Sequence, residues 1–353
     1  KEELVAPWRL CGAALLVAAL LGCVHSLALS WAASVPPAFY QALPLVAYAF
    51  PLFALFAWLP KPLARRLRWR GAFARALWRC IQPEPTKEVP FVEVLVADGL
   101  TSVAKVLFDL AMGTCVVVRS TGFSTSSYLT LWLPQSSAQS SAEAPHRSRL
   151  GDGLEQCSRS YAPFFLWALP FLIRARQCVV TSRRTQDATN RELQKVNLVK
   201  YLTALPIVVF ALCYAVADIR IEWLGGMSPE DFEICWAFAA VINSTFSFMW
   251  DMVMDWGLLQ PTPLRASNIG LRPILLFHGI WGFYYVAILC NACGRMLWSL
   301  RWSPEVSVFL GGFLLTFCQQ GAEVLRRCLW NIIRVEWECV KKGIYCSEKP
   351  CLP

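Results

Sequence analysis

Charged residues are scarce in this sequence of 353 residues: Asp, Glu, Lys and Arg make up 16% of it, against about 25% in a typical soluble protein. Hydrophobic residues make up 56%, and the mean hydropathy is +0.44. Several segments reach the roughly 20 mostly apolar residues that a helix needs to cross a bilayer. The scarcity of charge excludes an ordinary soluble domain and predicts an all-α, polytopic helical membrane protein.

Motifs for catalysis and metal binding are also missing. The three histidines form no motif, and the pair Cys290 and Cys293 has no second pair that would complete a zinc site. The chain shows no pairing of a nucleophile with a base and no Gly-rich loop that would hold a phosphate group. We therefore expect no enzyme, no metal and no cofactor. Cysteines inside apolar segments, such as Cys115, are interpreted as small hydrophobic residues.

The apolar segments predict about eight transmembrane helices and one amphipathic interfacial helix. The spans are expected at about 8–31, 38–59, 91–118, 161–181, 198–217, 231–254, 273–299 and 304–334. They divide the chain into two N-terminal helices (1–60), a basic amphipathic cytosolic helix with a Pro-rich link (61–90), a six-helix core (91–338) and a cytosolic tail (339–353).

Basic residues orient these spans. Arg alternates with Leu, Trp and Phe over 61–79, which is typical of a helix lying on an anionic lipid surface. The loops 60–90 and 182–197 are rich in Lys and Arg, so they are placed in the cytosol together with both termini. The Ser-rich loop 120–160 then lies on the lumenal side. The same rule explains the net charge of +9 without a nucleic-acid partner.

Ionisable residues within the spans are the most informative feature, because they are costly in a bilayer and usually face a polar interior. Asp251 and Asp255 are four residues apart, on one face of a helix. A cluster of arginines suits a tetrahedral oxyanion, because the guanidinium fork binds its oxygens bidentately. Neighbouring carboxylates would orient those forks while the site is empty.

Structural pairing is the alternative for each of these charges, since a carboxylate and an arginine can simply hold two helices together. We favour that interpretation for Asp109 and Arg334. Arg174 and Arg176 stand near the end of a span, where their side chains can extend to lipid headgroups. Arg326 and Arg327 are adjacent and point about 100° apart on a helix, so one simple pair does not account for both.

Five motifs, in order, resemble those of the EXS-domain family, which includes phosphate exporters of animals and plants and a Golgi protein of yeast. They are LVADGLTS (95–102), VNLVKYLT (196–203), WDMVMDWGLL (250–259), GRMLW (294–298) and EVLRRCLWNIIRVEWE (323–338). Gly99 stands where the family usually has Gln, the Ser-rich loop resembles an insertion, and no SPX-type domain is visible. The chain looks most like the compact, Golgi-type branch.

This resemblance implies that 91–338 is a transport core for inorganic phosphate. The implied phosphate-binding residues are Lys200, Tyr201, Arg295, Arg326 and Arg327. The implied path-lining or orienting residues are Asp98, Thr101, Asp251, Asp255, Trp298 and Glu323, with Trp298 as a gate.

The expected function is transport of phosphate from the Golgi lumen to the cytosol. The alternative function is a membrane scaffold or sorting factor that retains Golgi glycosyltransferases. The alternative locations are the plasma membrane and another endomembrane. Expected partners are phosphate and membrane lipids, including anionic lipids at 61–79; a homodimer and Golgi glycosyltransferases stay open as further partners.

Overall fold

The computed structural model describes residues 69–82, 89–120, 156–220, 227–259, 270–272, 274–275 and 281–343. Within these ranges the chain forms helices and no strand, which confirms the all-α prediction. Three helical stretches are long and apolar enough to cross a membrane: Gln156–Arg184, Ala188–Val216 and Pro229–Asp255. The protein is therefore a helical membrane protein. The two predicted N-terminal spans and most of the Ser-rich loop lie outside the described residues.

The helices are numbered here along the described part of the chain. They are α1 (Trp69–Ile81), α2 (Phe91–Ser102), α3 (Ala104–Ser120), α4 (Tyr161–Arg184), α5 (Ala188–Leu202), α6 (Leu205–Arg220), α7 (Pro229–Trp250), α8 (Trp281–Met296) and α9 (Pro304–Lys341). A π-helical turn, Asp251–Asp255, continues α7, and a 3-10 helix, Leu297–Trp302, continues α8.

The helices depart from the predicted spans most clearly at three places. The predicted span 91–118 is broken at Val103, which ends α2. Around 198–217 the chain leaves helical geometry at Thr203 and Ala204 before α6 begins, because Pro206 lacks the N–H that an uninterrupted helix would need there. Helix α9 extends past the predicted end at 334 to Lys341, a length of 38 residues.

The chain divides into two compact units, Lys1–Lys195 with Leu205–Trp236, and Val196–Ala204 with Ala237–Pro353. In the first unit α3 packs against α4, where the ring of Phe108 lies 5.1 Å from that of Phe164. A disulfide joins Cys115 on α3 to Cys157, just before α4. The interpretation of Cys115 as a small hydrophobic residue was therefore wrong: it closes the two ends of the Ser-rich segment.

The C-terminal end of helix α1 contacts Glu93 of α2 in the first unit. The thiol of Cys80 donates a hydrogen bond to the carbonyl of Glu93 at 3.2 Å, and Arg79 Nη1 lies 3.6 Å from Glu93 Oε1. Burial, aided by the negative charge of Glu93, raises the pKa of the Cys80 thiol to about 11. Trp78 stays exposed on the outer face. That this face contacts anionic lipid stays a prediction.

In the second unit α8 packs against α9. The fully buried side chains between the helices include Tyr284, Trp330 and Ile333. Ser303 caps α9 by accepting a hydrogen bond from the backbone of Val306 at 3.4 Å, and Pro304 occupies a first-turn position where no donor is needed. This pair of helices carries most of the charged residues of the site described next.

Candidate functional site

The motif WDMVMDWGLL forms the end of α7 and the π-turn Asp251–Asp255. The backbone N–H of Trp256 bonds to the carbonyl of Asp251, five residues back, at 2.9 Å. Turns of this kind are rare and occur frequently at functional sites. Both aspartates are buried, and both face the ammonium of Lys200, which lies 3.6 Å from Asp251 Oδ1 and 3.4 Å from Asp255 Oδ2.

The chain leaves the π-turn through a tight bend at Gly257. This glycine has φ of +64°, and a Cβ on it would lie 2.5 Å from the ring of Trp337. No other residue type fits without strain and a clash. The N–H of Leu259 then bonds to the carbonyl of Gly270 at 2.8 Å, which fixes the end of the bend.

Asp251 is fully buried, and its Oδ2 atom is the centre of the cluster. Oδ2 accepts hydrogen bonds from Arg295 Nε at 3.0 Å, Arg295 Nη2 at 2.5 Å and Asn291 Nδ2 at 3.1 Å. The Asn291 carbonyl oxygen in turn accepts from Arg326 Nη1 at 2.8 Å. Asn291 thus links the carboxylate on the π-turn to an arginine on α9.

Arg326 is held by Glu323, one turn earlier on α9. Two parallel hydrogen bonds join them, Nε to Oε2 at 2.7 Å and Nη2 to Oε1 at 2.6 Å. The Arg326 stem lies directly over Gly294 of α8, where a Cβ would approach Arg326 Cδ to 2.7 Å. The glycine therefore permits the close approach that brings Arg326 within 3.8 Å of Asp251 Oδ2.

Lys200 is held more loosely than the arginines. The ion-pair distances of Lys200 Nζ, 3.6 and 3.4 Å, exceed the roughly 2.7–2.9 Å of a strong charge-assisted bond. Lys200 stands in the last turn of α5, just before the break in the helix. Asp255 Oδ1 lies 3.6 Å from Arg334 Nε. Arg334 thus contacts the cluster through Asp255, and this pairing of an arginine with a carboxylate of another element is compatible with the structural interpretation.

Among the contacts between residues that the structure describes, cations outnumber carboxylates in this cluster. Four cations, Lys200, Arg295, Arg326 and Arg334, contact three carboxylates, Asp251, Asp255 and Glu323. Arg334 also lies 4.0 Å from Glu338, but that carboxylate is paired with Lys341 at 2.7 Å. Most of these side chains are shielded from solvent, where charges interact strongly. Such a concentration of buried cations suits the binding of a small anion.

The remaining predicted site residues fall into two groups. In the second unit, Tyr201 is buried beside Lys200, whose Nζ lies 5.4 Å from its ring. Trp298 Nε1 donates to Ser244 Oγ at 3.1 Å, and the guanidinium of Arg327 lies 4.7 Å from the ring of Trp330. These contacts leave the predicted roles of the three residues as predictions.

Asp98 and Thr101 belong to the first unit. Asp98 Oδ1 lies 2.7 Å from Arg174 Nε, and both side chains are buried. Arg174 also donates to Gln177 Oε1 at 2.5 Å, so the expectation that it extends to lipid headgroups was wrong. The hydroxyl of Thr101 donates to the carbonyl of Asp98 at 2.7 Å. Asp109 pairs with Lys105 one turn away on the same helix, α3, so the described contact does not join two helices and the structural interpretation of Asp109 stays a prediction.

A further buried ion pair, between Arg272 and Glu336, supports the bend after the π-turn, and sequence reasoning missed it. Arg272 Nη2 lies 2.6 Å from Glu336 Oε1, and Tyr284 donates its hydroxyl to the same oxygen at 2.6 Å. Arg272 also donates to the backbone carbonyl of Trp256. Glu336 stands inside the last quoted motif, which was the available signal. The signal for Asn291 was its position four residues before Arg295, on the same helix face.

Comparison with known proteins assigns the chain and its relatives to one family. The model of the EXS family matches residues 7–340. Protein ERD1 homolog 1 of Schizosaccharomyces pombe is 26% identical over 283 residues, which cover 78% of this chain and 64% of that protein. Human solute carrier family 53 member 1 is 26% identical over 320 residues, or 88% of this chain and 42% of that protein.

A plant relative, phosphate transporter PHO1 of Arabidopsis thaliana, is 33% identical over 175 residues, which cover 48% of this chain and 19% of that protein. The chain therefore spans less than two thirds of the length of each of these relatives. Since the family model covers nearly the whole sequence, the protein belongs to the EXS family.

Proposed function

We propose that this chain transports inorganic phosphate across a membrane, and that the cation cluster of the second unit binds the anion on its way. The observation that carries the proposal is the position of Lys200, a buried ammonium shared between Asp251 and Asp255 at distances of 3.4 to 3.6 Å. A cation so loosely engaged has capacity for an anion that approaches more closely.

Arg295 and Arg326 complete the binding site in this proposal. Each presents a guanidinium fork, and each fork is occupied by a carboxylate in the structure, Asp251 for Arg295 and Glu323 for Arg326. An arriving phosphate competes with these carboxylates for the forks. The competition keeps the affinity moderate, and moderate affinity lets the anion leave again. Two relatives bear names that fit a transporter: phosphate transporter PHO1 and solute carrier family 53 member 1.

The direction that we propose is from the Golgi lumen to the cytosol. The similarity to Protein ERD1 homolog 1 supports our assignment of the chain to the compact branch of the family. For that branch the sequence predicted a Golgi location. The disulfide between Cys115 and Cys157 supports an oxidising compartment on the side of the Ser-rich loop. We propose that the cluster binds the anion and releases it unchanged, so that the protein acts as a transporter and not as an enzyme.

The test is uptake of radiolabelled phosphate by liposomes that hold the purified protein. We expect uptake above that of empty liposomes with wild-type protein, and a strong loss in Lys200→Met. The matched control is Lys195→Met, since Lys195 lies on the same helix but is exposed and pairs only with Glu192 among the described residues. If wild-type protein moves no phosphate in either gradient direction, the proposal is wrong.

The scaffold alternative predicts a different pattern in cells. Retention of a Golgi glycosyltransferase would then survive the loss of the anion site, because a scaffold acts through its surface. We expect Lys200→Met and Arg326→Ala to reduce phosphate flux in vesicles from these cells while the protein still reaches its membrane. Wild-type flux in both variants, with retention lost only when the helix α1 is altered, would favour the scaffold.

A further inference from the structure

The two carboxylate oxygens of Asp251 have very different surroundings. Oδ2 accepts three hydrogen bonds, two from Arg295 and one from Asn291. Oδ1 accepts none from the residues that the structure describes. The ammonium of Lys200 lies 3.6 Å from Oδ1, beyond the usual length of a hydrogen bond.

A buried oxygen without a hydrogen bond is unfavourable, because it has lost its bonds to water and gained none in return. Asp251 is 0% exposed, so bulk solvent does not reach Oδ1. Asn291 and Arg295 fix the carboxylate through Oδ2 and leave Oδ1 directed towards the ammonium of Lys200. An anion bound by Lys200 therefore has one of its own oxygens next to Oδ1.

We propose that Oδ1 of Asp251 makes the site selective for protonated oxyanions, by accepting a hydrogen bond from the P–OH group of an anion held by Lys200. The inference rests on the proposed transport function and defines its substrate class. An oxyanion that carries a proton satisfies Oδ1. One that carries none places a bare oxygen against a buried carboxylate, where the two negative charges repel each other.

This separates anions of similar shape by their chemistry. Phosphate and arsenate keep at least one proton at neutral pH, whereas sulfate keeps none. Monofluorophosphate is the sharper probe, because at neutral pH it is a dianion like hydrogen phosphate, with fluorine in place of the hydroxyl group. Sites that hydrogen-bond a ligand hydroxyl reject analogues without it strongly.

The experiment is competition against phosphate uptake in liposomes at neutral pH, with arsenate, sulfate and monofluorophosphate as competitors. For wild-type protein we expect arsenate to compete at least about tenfold better than the two unprotonated anions. Equal competition by all three would overturn the proposal while leaving phosphate transport itself intact. Binding is measured in parallel, as thermal stabilisation of the purified protein by each anion.

The parallel binding measurement keeps the two proposals distinguishable. If wild-type protein transports nothing, the proposed function fails, and the binding series still decides the selectivity. A wild-type protein stabilised by phosphate and arsenate but not by sulfate or monofluorophosphate supports the inference. Stabilisation by none of them, or by all alike, overturns it.

Two variants assign the selectivity to one residue. Asp251→Asn introduces an amide donor beside Lys200, so we expect sulfate and monofluorophosphate to compete about as well as arsenate. Asp255→Asn is the matched control from the same π-turn, and it should keep the wild-type order of competitors whatever its rate. Loss of selectivity in Asp255→Asn alone would overturn the assignment to Asp251. If the Asp251→Asn protein does not fold, the wild-type series decides the inference.

Discussion

Arg295 donates two hydrogen bonds to a single oxygen of Asp251, from Nε at 3.0 Å and from Nη2 at 2.5 Å. The arginine stands in the last turn of α8, and the aspartate opens the π-turn after α7. Both side chains are largely removed from solvent. The pair therefore fixes the position of the carboxylate around which Lys200, Asn291 and Arg326 are arranged.

Arg295→Lys should reduce phosphate flux although it keeps the positive charge. A lysine places one ammonium where the guanidinium places two aligned donors, so at least one charge-assisted hydrogen bond is lost. Such a bond contributes about 1.5–3 kcal/mol, which corresponds to a roughly ten- to hundredfold effect. Initial uptake rates in liposomes measure the loss. A wild-type rate in Arg295→Lys would show that Arg295 acts only through its charge.

Gly294→Ala should impair transport by displacing Arg326. The added methyl group would lie 2.7 Å from Arg326 Cδ, so the side chain must move away from Asn291 and Asp251. Gly282→Ala is the matched control, because it lies on the same helix and a Cβ there meets no atom within 4 Å. We expect lower uptake in the first variant and wild-type uptake in the second. Equal uptake in both would mean that the position of Arg326 does not affect transport.

Sequence alone was sufficient to identify most of the charged cluster, for a physical reason. Ionisable groups in apolar segments are costly unless they meet partners, so charges on different spans were expected to converge. The structure brings Lys200, Asp251, Asp255, Arg295 and Arg326 together within one unit. Asp98 was grouped with them on the resemblance to the EXS family, and it pairs with Arg174 in the first unit.

The parts that sequence did not reveal depend on details of backbone geometry and pairing. Apolar periodicity does not separate an α-helical turn from a π-turn, so the widened backbone at Asp251 was not expected. Asn291 is neutral, and a search for charges passes over it. The partner of Cys115 was not identifiable either, because spacing does not determine which cysteines pair.

Arg272→Met should destabilise the protein, because it leaves Glu336 buried without its cation. Breaking a buried pair from one side costs about 3–5 kcal/mol. The double variant Arg272→Met with Glu336→Met should recover part of this loss, since no unpaired charge remains. The measurement is the thermal unfolding of the purified protein in detergent.

The matched control for the buried Arg272–Glu336 pair is the exposed pair of Lys105 and Asp109 on α3, whose side chains are 41% and 39% exposed. Lys105→Met should change the free energy of unfolding by less than about 1 kcal/mol. If the Arg272→Met single variant and the double variant unfold at the same temperature, an unpaired Glu336 does not destabilise the protein. The Arg272–Glu336 pair then does not stabilise the bend after the π-turn.

The disulfide between Cys115 and Cys157 should form in the cell and stabilise the first unit. The two residues are 42 positions apart, and closing a loop of that length in the unfolded chain corresponds to about 4 kcal/mol on the entropic model. In membranes prepared without reductant, we expect neither thiol to react with a maleimide reagent after denaturation, and both to react after reduction. Cys115→Ser should render Cys157 reactive without any reductant.

The exposed Cys290 and Cys328 serve as positive controls for this labelling, reacting under both conditions. Labelling of wild-type Cys115 and Cys157 before reduction would show that the bond is absent and would remove its support for an oxidising compartment beside the Ser-rich loop.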